Sequence, residues 1–203
     1  MTPAPDLNRE LTRFIRRLAK LEPIFAHLRA SRILFVAGES RRRSLATIRG
    51  LANDATGKRH SHDGLTRRPL IRVARRRVLY WISLRPLFFR ASTPRERLRT
   101  ILHELFHISP AFDGTLARER RHRRLPRPAY DAALRPLVDR AAVLSPSSLN
   151  TNGPVVIWHW LVRPPVHIHI GTRRRAVFDE RHLYRATVEM VTPTFAPFDS
   201  SEV

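Results

Sequence analysis

The sequence predicts an α+β domain in which helices flank a small, mostly antiparallel β-sheet. Two kinds of pattern lead to this prediction. Apolar residues recur with a helical period in residues 6–30 and again in residues 93–109, whereas residues 32–37 and 78–83 are short apolar runs typical of strands. With 203 residues and a hydrophobic fraction of 42%, the chain is long enough to bury one substantial core.

The helix predicted for residues 6–30 is strongly amphipathic. Its apolar residues share one face, and the opposite face carries the basic side chains of Arg9, Arg13, Arg16, Arg17 and Lys20. Pro23 is expected to kink or divide the helix, because proline has no N–H to donate. We assign residues 1–30 to this N-terminal amphipathic helix.

Two further regions complete the predicted domain organisation. Residues 31–144 form the central region, which contains the second helix and the first strands. Residues 145–203 begin with a linker rich in serine, asparagine and proline and continue as a β-rich extension packed on the same domain. Strands of this extension are predicted at residues 155–162 and 184–191.

The second helix begins with a strong start signal. Thr93, Pro94 and Glu96 have the pattern of a capping box with proline at the first helical position. Pro110 is expected to end the helix near Ser109. The face predicted to pack on the core is formed by Leu98, Ile101, Leu102 and Leu105.

His103, Glu104 and His107 lie on this helix in the pattern H-E-x-x-H. Residues i and i+4 share a helix face, so both imidazoles can bind one divalent metal ion. Glu104 lies one step around the helix, where its carboxylate can act as a general base towards water. The histidines are expected to face away from the apolar stripe, and the alternative is a surface helix with two solvated histidines.

A catalytic zinc site usually has three protein ligands, so a third residue must join the two histidines. His122 is the preferred candidate, because a turn after His107 lets the chain fold back onto the helix. Asp113 is the alternative third ligand, and its other reading is a turn residue that shapes the bend around Gly114. Glu119 is the remaining candidate.

The composition excludes several kinds of site. The chain has no cysteine, which excludes disulfides and thiolate metal sites and leaves histidine, aspartate and glutamate as metal ligands. No apolar run is long enough to span a membrane, and the N-terminal residues lack the pattern of a secretory signal. The cytoplasm is therefore the expected compartment, and the sequence indicates no particular oligomeric state.

The net charge of +21 is the most unusual bulk property of the chain. Thirty-eight basic residues stand against 17 acidic ones, and a charge of this size favours association with polyanions. One interpretation is a nucleic-acid-binding surface. The other is a genome composition that encodes arginine in place of lysine, which explains the choice of arginine but not the excess over acidic residues.

Three segments together resemble a known family. The sequences HELFHISP at 103–110 and FDG at 112–114, preceded by VLYWI at 78–82 and followed by His122, are similar to a metallopeptidase family of bacteria and phages related to the SprT-like zincins. The resemblance covers residues 30–140. It implies a zincin-like fold with an active-site helix, a zinc ion bound by His103, His107 and a downstream histidine, and Glu104 as the base.

Two functions are predicted from these patterns. The first is a zinc-dependent metallopeptidase that cleaves a peptide or protein substrate, including proteins bound to nucleic acid. Residues 84–89 are expected at a sheet edge or in a loop, and a substrate could add there as a strand. His167, His169 or Tyr184 could polarise the scissile carbonyl. The alternative is a basic nucleic-acid-binding protein with a structural or degenerate metal site.

Overall fold

A five-stranded mixed β-sheet lies at the centre of the fold, with helices packed on one of its faces. The computed structural model describes residues 3–38, 44–52, 60–61, 64–120, 122, 126–166, 168–169 and 177–193. The α+β class is as predicted.

The elements follow one another in a mixed order along the chain. They are α1 (Leu7–Leu21), β1 (Ile33–Ala37), β2 (Ala46–Gly50), β3 (His60–Ser61), β4 (Gly64–Arg67), β5 (Leu70–Val73), β6 (Arg76–Arg77), β7 (Tyr80–Leu84), α2 (Pro86–Arg90), α3 (Pro94–Phe106), α4 (Arg127–Ala141), α5 (Ser147–Asn150), β8 (Pro154–Trp160), β9 (Ile168–His169), β10 (Val177–Phe178) and β11 (Leu183–Glu189). Two of the short strands, β3 and β4, lie in a stretch that the sequence pattern does not distinguish from a loop.

The central sheet has the strand order β11-β8-β1-β7-β2. Strand β1 pairs in parallel with both β7 and β8, whereas the outer strands β11 and β2 pair antiparallel with their neighbours. The sequence predicts a mostly antiparallel sheet, and this sheet is mixed, with two antiparallel and two parallel pairings. Parallel neighbours need long crossover connections, and the segments that join β1 to β7 and β7 to β8 contain whole further elements. Two small three-stranded sheets, β10-β5-β6 and β3-β4-β9, accompany the central one.

Helix α1 is shorter than the pattern predicts. The Asp6 side chain accepts a hydrogen bond from the Arg9 N–H and caps the helix, and the helix ends at Leu21. Pro23 starts a separate 3₁₀ turn, so the predicted division at this proline is confirmed. The apolar face of α1 is fully buried against the sheet, and it comprises Leu7, Leu11, Phe14, Ile15 and Leu18.

The sheet separates two groups of buried side chains. The larger core lies between the sheet and helices α1, α3 and α4, and it includes Phe35 and Ile82 from the central strands. The smaller core covers the opposite face and is built around Trp81, Leu34 and Val36. Successive strand residues alternate between these two cores, as a pleated strand requires. Among the described helices, none combines the length and the apolar character needed to cross a bilayer.

Candidate metal centre

Helix α3 begins with the predicted capping box. The Thr93 side chain accepts from the Glu96 N–H at 3.3 Å, and the Glu96 carboxylate accepts from the Thr93 N–H at 2.7 Å. The helix ends at Phe106, a few residues before the position expected from Pro110. His107 is the C-cap, and its φ of −71° and ψ of −15° are still helical, so it keeps the i, i+4 relation to His103.

Three histidine rings converge at the C-terminal end of α3. The Nε2 atom of His103 lies 3.3 Å from Nε2 of His107 and 3.3 Å from Nε2 of His122. The ligand atoms of all three rings lie within 4.8 Å of one another. These three residues could therefore hold a metal ion.

The spacing of these nitrogens fits a tetrahedral metal site better than a hydrogen-bonded cluster. Ligand nitrogens of a tetrahedral ion with bonds near 2.05 Å are about 3.3 Å apart, which is the separation found twice here. One imidazole nitrogen either donates a single proton or accepts in the ring plane. Nε2 of His103 therefore cannot pair well with two other Nε2 atoms at once, whereas a shared cation would satisfy all three lone pairs.

Burial keeps the imidazoles of His103 and His107 neutral. It lowers the pKa of His103 to about 3, and the neighbouring charges of His107, His122 and Arg99 add to this effect. Burial likewise lowers the pKa of His107 to about 4. Both rings consequently have a free lone pair at neutral pH, as metal ligation requires.

The segment after α3 returns to the helix end and brings His122 into the cluster. The Ala117 N–H donates to the His107 carbonyl at 2.9 Å, and Arg120 Nη1 donates to the Phe106 carbonyl at 3.1 Å. The Arg120 guanidinium also lies 4.4 Å from the centre of the Phe106 ring. A cation beside the last carbonyls of a helix is electrostatically favoured, so Arg120 positions the segment that carries His122.

The backbone of Arg120 also selects the orientation of His107. A hydrogen bond from the His107 ring to the backbone carbonyl of Arg120 favours a protonated ring nitrogen and raises the His107 pKa against the larger effect of burial. Nε2 is the atom of His107 that faces His103, so it is the atom placed to bind a metal, whereas Nδ1 lies 3.3 Å from the Tyr130 hydroxyl.

Glu104 lies between α3 and strand β2. Its side chain is 6% exposed, and burial raises its pKa to about 7. The backbone N–H of Ile48 and the positive charge of Arg85 lower the pKa again, but burial dominates. A buried carboxyl group with a pKa near neutrality can exchange a proton with water at physiological pH.

Tyr130 on α4 is a site residue that the sequence pattern did not reveal. Its hydroxyl lies 3.2 Å from Nε2 of His107, and its ring lies 4.5 Å from the ring of His103, centre to centre. The expectation that the histidine face points away from the packed core is wrong, because Tyr130 is 1% exposed and covers that face. Burial and the nearby Glu104 carboxylate raise the pKa of Tyr130, which keeps its hydroxyl protonated.

Tyr130 could not be recognised as a site residue from the sequence, because Tyr130 shares an apolar helix face with Leu134, Leu137 and Val138, all of which are buried. The aromatic ring of Tyr130 fits the apolar face of an amphipathic helix, so the pattern does not indicate a separate role for its hydroxyl group. Pro128 lies in the first turn of α4, where the missing N–H of proline needs no partner.

Asp113 and Glu119 lie outside the histidine cluster. The Asp113 carboxylate accepts from the N–H and the hydroxyl of Thr115 at 2.9 and 2.7 Å, so it shapes a turn. In the same turn Gly114 has a φ of +91°, and a Cβ there would lie 2.8 Å from the Ala52 nitrogen. The Glu119 side chain is largely exposed.

Of the residues considered as carbonyl-polarising donors, the structure describes the side chain of Tyr184, which lies away from the cluster. Tyr184 lies on β11, at the opposite edge of the sheet from β2, where its ring stacks on His159 at 5.2 Å. His167 and the side chain of His169 lie outside the described residues. In their place the structure brings Tyr130 to the three histidines.

Comparisons of this chain with protein-family models, with curated proteins and with solved structures found no match.

Proposed function

We propose that this chain is a zinc-dependent metallopeptidase that uses Glu104 as its general base. The observation that carries the proposal is the convergence of three imidazole nitrogens at the end of the helix that also carries Glu104, a buried carboxyl group with a pKa of about 7. Three nitrogen ligands that leave one coordination position open are typical of catalytic zinc sites rather than structural ones. His103, His107 and His122 would hold the ion.

The residues around the histidines can divide the steps of amide hydrolysis among them. A bound zinc ion would supply a Lewis acid that acidifies water and polarises a carbonyl group. Glu104 accepts a proton from the attacking water and then donates it to the leaving amine. The Tyr130 hydroxyl, protonated and close to His107, donates a hydrogen bond to the oxygen of the scissile carbonyl as negative charge develops there.

The edge of the sheet beside Glu104 is suited to an extended peptide. Strand β2 is the last strand of the sheet in the part of the chain that the structure describes. Leu45 and Leu51 flank β2 and form hydrogen bonds with Arg85 and Leu79, which flank β7. Because backbone groups of an antiparallel strand point alternately to either side, those of Ala46 and Ile48 point away from β7. Glu104 interacts with the Ile48 N–H, and the Ala52 N–H donates to the Gly114 carbonyl at 3.0 Å, so a substrate strand would add along the Ala46 end of this edge. The edge expected at residues 84–89 is not one, because β7 is an interior strand and α2 follows it.

The test compares metal content with cleavage in three variants. Untagged wild-type protein is expected to bind about one zinc ion per chain and to cleave an unfolded protein substrate. His122→Ala should lose the metal. Glu104→Gln should keep the metal and lose cleavage, and Tyr130→Phe should keep the metal with kcat lowered by about a hundredfold. Full cleavage by Glu104→Gln, or no metal in wild type after zinc is supplied, would contradict the proposal.

A second candidate function, nucleic-acid binding, is favoured by one face of α1. Its five basic side chains are exposed, and none of them forms an ion pair within the described residues; they are Arg9, Arg13, Arg16, Arg17 and Lys20. The one acidic residue of α1, Glu10, is turned away and accepts from Ser147 and Ser148 of α5. The face is therefore uniformly positive and matches the phosphate backbone of a nucleic acid.

A further inference from the structure

Arg49 lies on β2, one residue beyond Ile48 and on the opposite face of the sheet from Glu104. Ile48 faces Ile82 in the larger core, whereas Arg49 is paired across the strands with Trp81 in the smaller one. The Arg49 guanidinium carbon lies 5.1 Å from the centre of the Trp81 ring. Arg49 is thus held at the sheet edge by a cation–π contact.

Other arginines converge on this position. The guanidinium of Arg163, in the loop after β8, lies 5.7 Å from the centre of the same Trp81 ring. Burial and the positive charges of Arg163, Arg68 and Arg85 all lower the pKa of Arg49. We call these four residues, Arg49, Arg68, Arg85 and Arg163, the arginine cluster.

The charge of Arg49 is not compensated inside the described part of the chain. Neither Arg49 nor Arg163 forms an ion pair there, and the buried Nη1 atom of Arg49 has no hydrogen-bond partner there either. A buried guanidinium nitrogen without an acceptor is costly, and repulsion from like charges adds to the cost. An anion bound at this place would remove both penalties.

A second arginine in the same protein shows the usual compensated arrangement. Arg185 on β11 also lies over a tryptophan, 4.8 Å from the centre of the Trp158 ring, but it forms an ion pair with Asp6. Arg185 occupies the other edge of the sheet, far from Glu104 in strand order. Arg49 and Arg185 both stack on a tryptophan, but Arg185 also has an acidic partner. Stacking alone therefore does not explain why Arg49, at the β2 edge, has no ion pair within the described residues.

The position of the cluster identifies the ligand that it would meet. A peptide added to β2 turns alternate side chains to the two faces of the sheet. One set faces α3 and Glu104, and the other set faces Arg49. Trp81 is 1% exposed, so it offers no open ring face on which a nucleic-acid base could stack.

We propose that Arg49 and Arg163, supported by Arg68 and Arg85, bind acidic side chains of a peptide substrate lying along β2. This inference rests on the proposed peptidase function and adds a substrate class to it, namely extended peptides with aspartate or glutamate at alternate positions. Each forked guanidinium group can donate two parallel hydrogen bonds to a carboxylate.

The test measures binding rather than cleavage, and it uses full-length Glu104→Gln so that the probe survives. The probes are two fluorescent peptides of alternating threonine and glutamate or alternating threonine and glutamine, and binding is followed by anisotropy at about 150 mM salt, where long-range attraction is screened. The glutamate peptide is expected to bind about tenfold more tightly. Adding Arg49→Gln or Arg163→Gln should reduce that ratio to about two.

Matched controls separate a site from diffuse attraction to a basic protein. Arg13→Gln removes an exposed charge from α1, and Arg185→Gln removes the compensated arginine over Trp158; both should leave the tenfold ratio unchanged. Arg163 is exposed, so its substitution tests the proposal even if Arg49→Gln unfolds the protein. Equal losses in the control variants would overturn the proposal, as would equal binding of both peptides.

An oligonucleotide arm tests the other polyanion. If single-stranded DNA displaces the glutamate peptide and depends more strongly on Arg49 and Arg163 than the peptide does, the cluster is a nucleic-acid site and the proposal is wrong. The peptide-binding experiment does not measure cleavage. If the metal and Glu104→Gln experiments contradict the peptidase function, the binding result can therefore still be interpreted separately.

Discussion

Glu104 is the residue whose environment differs most from that of a surface carboxyl group. It is buried between α3 and β2, and its pKa is raised from 4.5 to about 7. Between these two values the folded protein binds more protons at Glu104 than the unfolded chain does. The contribution of Glu104 to stability therefore falls as pH rises through this window and is fully lost above pH 7.

This sign leads to a prediction for the metal-free protein. After chelation, the free energy of unfolding of wild type relative to Glu104→Gln should fall by about 2–3 kcal/mol between pH 5 and pH 8. Urea unfolding of both proteins at the two pH values measures this difference. The histidines are common to both proteins, so their own titration cancels to first order. Parallel pH dependence of the two proteins would show that Glu104 is not buried as described.

The candidate metal ligands and the candidate base on α3 could be predicted from their spacing in the sequence. The residues from other elements that contact them could not. The i, i+4 rule places His103 and His107 together without any knowledge of the rest of the fold. Ile48 contributes a backbone N–H to Glu104, and a backbone group has no sequence signature. Tyr130 reaches the site only because α4 packs against α3, a tertiary contact that a local pattern does not contain.

At the scale of single elements, α3 is the helix whose start is best specified. Thr93→Ala removes the side-chain oxygen that accepts from the Glu96 N–H and should destabilise the protein by about 1 kcal/mol. Thr100→Ala, in the interior of the same helix, is the matched control and should be neutral or slightly stabilising, because alanine is the better helix former. Chemical denaturation of the two variants measures the difference, and equal losses would argue against the cap.

The elements with local signals were predictable, and the arrangement of the strands was not. The capping box, the proline at the start of α4 and the proline after α1 act within a few residues, and all three determine the ends that the structure shows. Strand order depends on pairing between distant segments. In the structure, β1 pairs in parallel with β7 and β8. Nothing in the sequence of β1 favours these distant parallel neighbours over an antiparallel pairing with the next strand in a hairpin.

At the scale of the whole molecule, the charge of +21 should appear in the salt dependence of binding to nucleic acid. If the five basic residues of α1 contact phosphates, affinity for duplex DNA should fall about 500-fold between 50 and 200 mM salt. Arg13→Gln combined with Arg17→Gln should reduce the logarithmic salt slope by about 1.8. Electrophoretic or anisotropy titrations at several salt concentrations measure both quantities.

Glu104→Gln is the control for this experiment, because α1 and the histidine cluster lie on different elements and the substitution should leave DNA binding unchanged. An affinity that does not change with salt would contradict nucleic-acid binding by α1. A salt slope that is unchanged in the α1 variant would place the contact elsewhere on the basic surface.

The central position of β1 also has a consequence for how the chain reaches its native state. One neighbour of β1 pairs through Ala37 and His159, and Asp6 next to α1 bridges to Val156, so both contacts close very long loops. Domains dominated by such distant pairings fold slowly, because the entropy of loop closure is lost before the contacts form. During synthesis, the side of β1 that pairs with β8 stays open until β8 emerges, whereas its pairing with β7 can form earlier. This topology is expected to give a slow folding step.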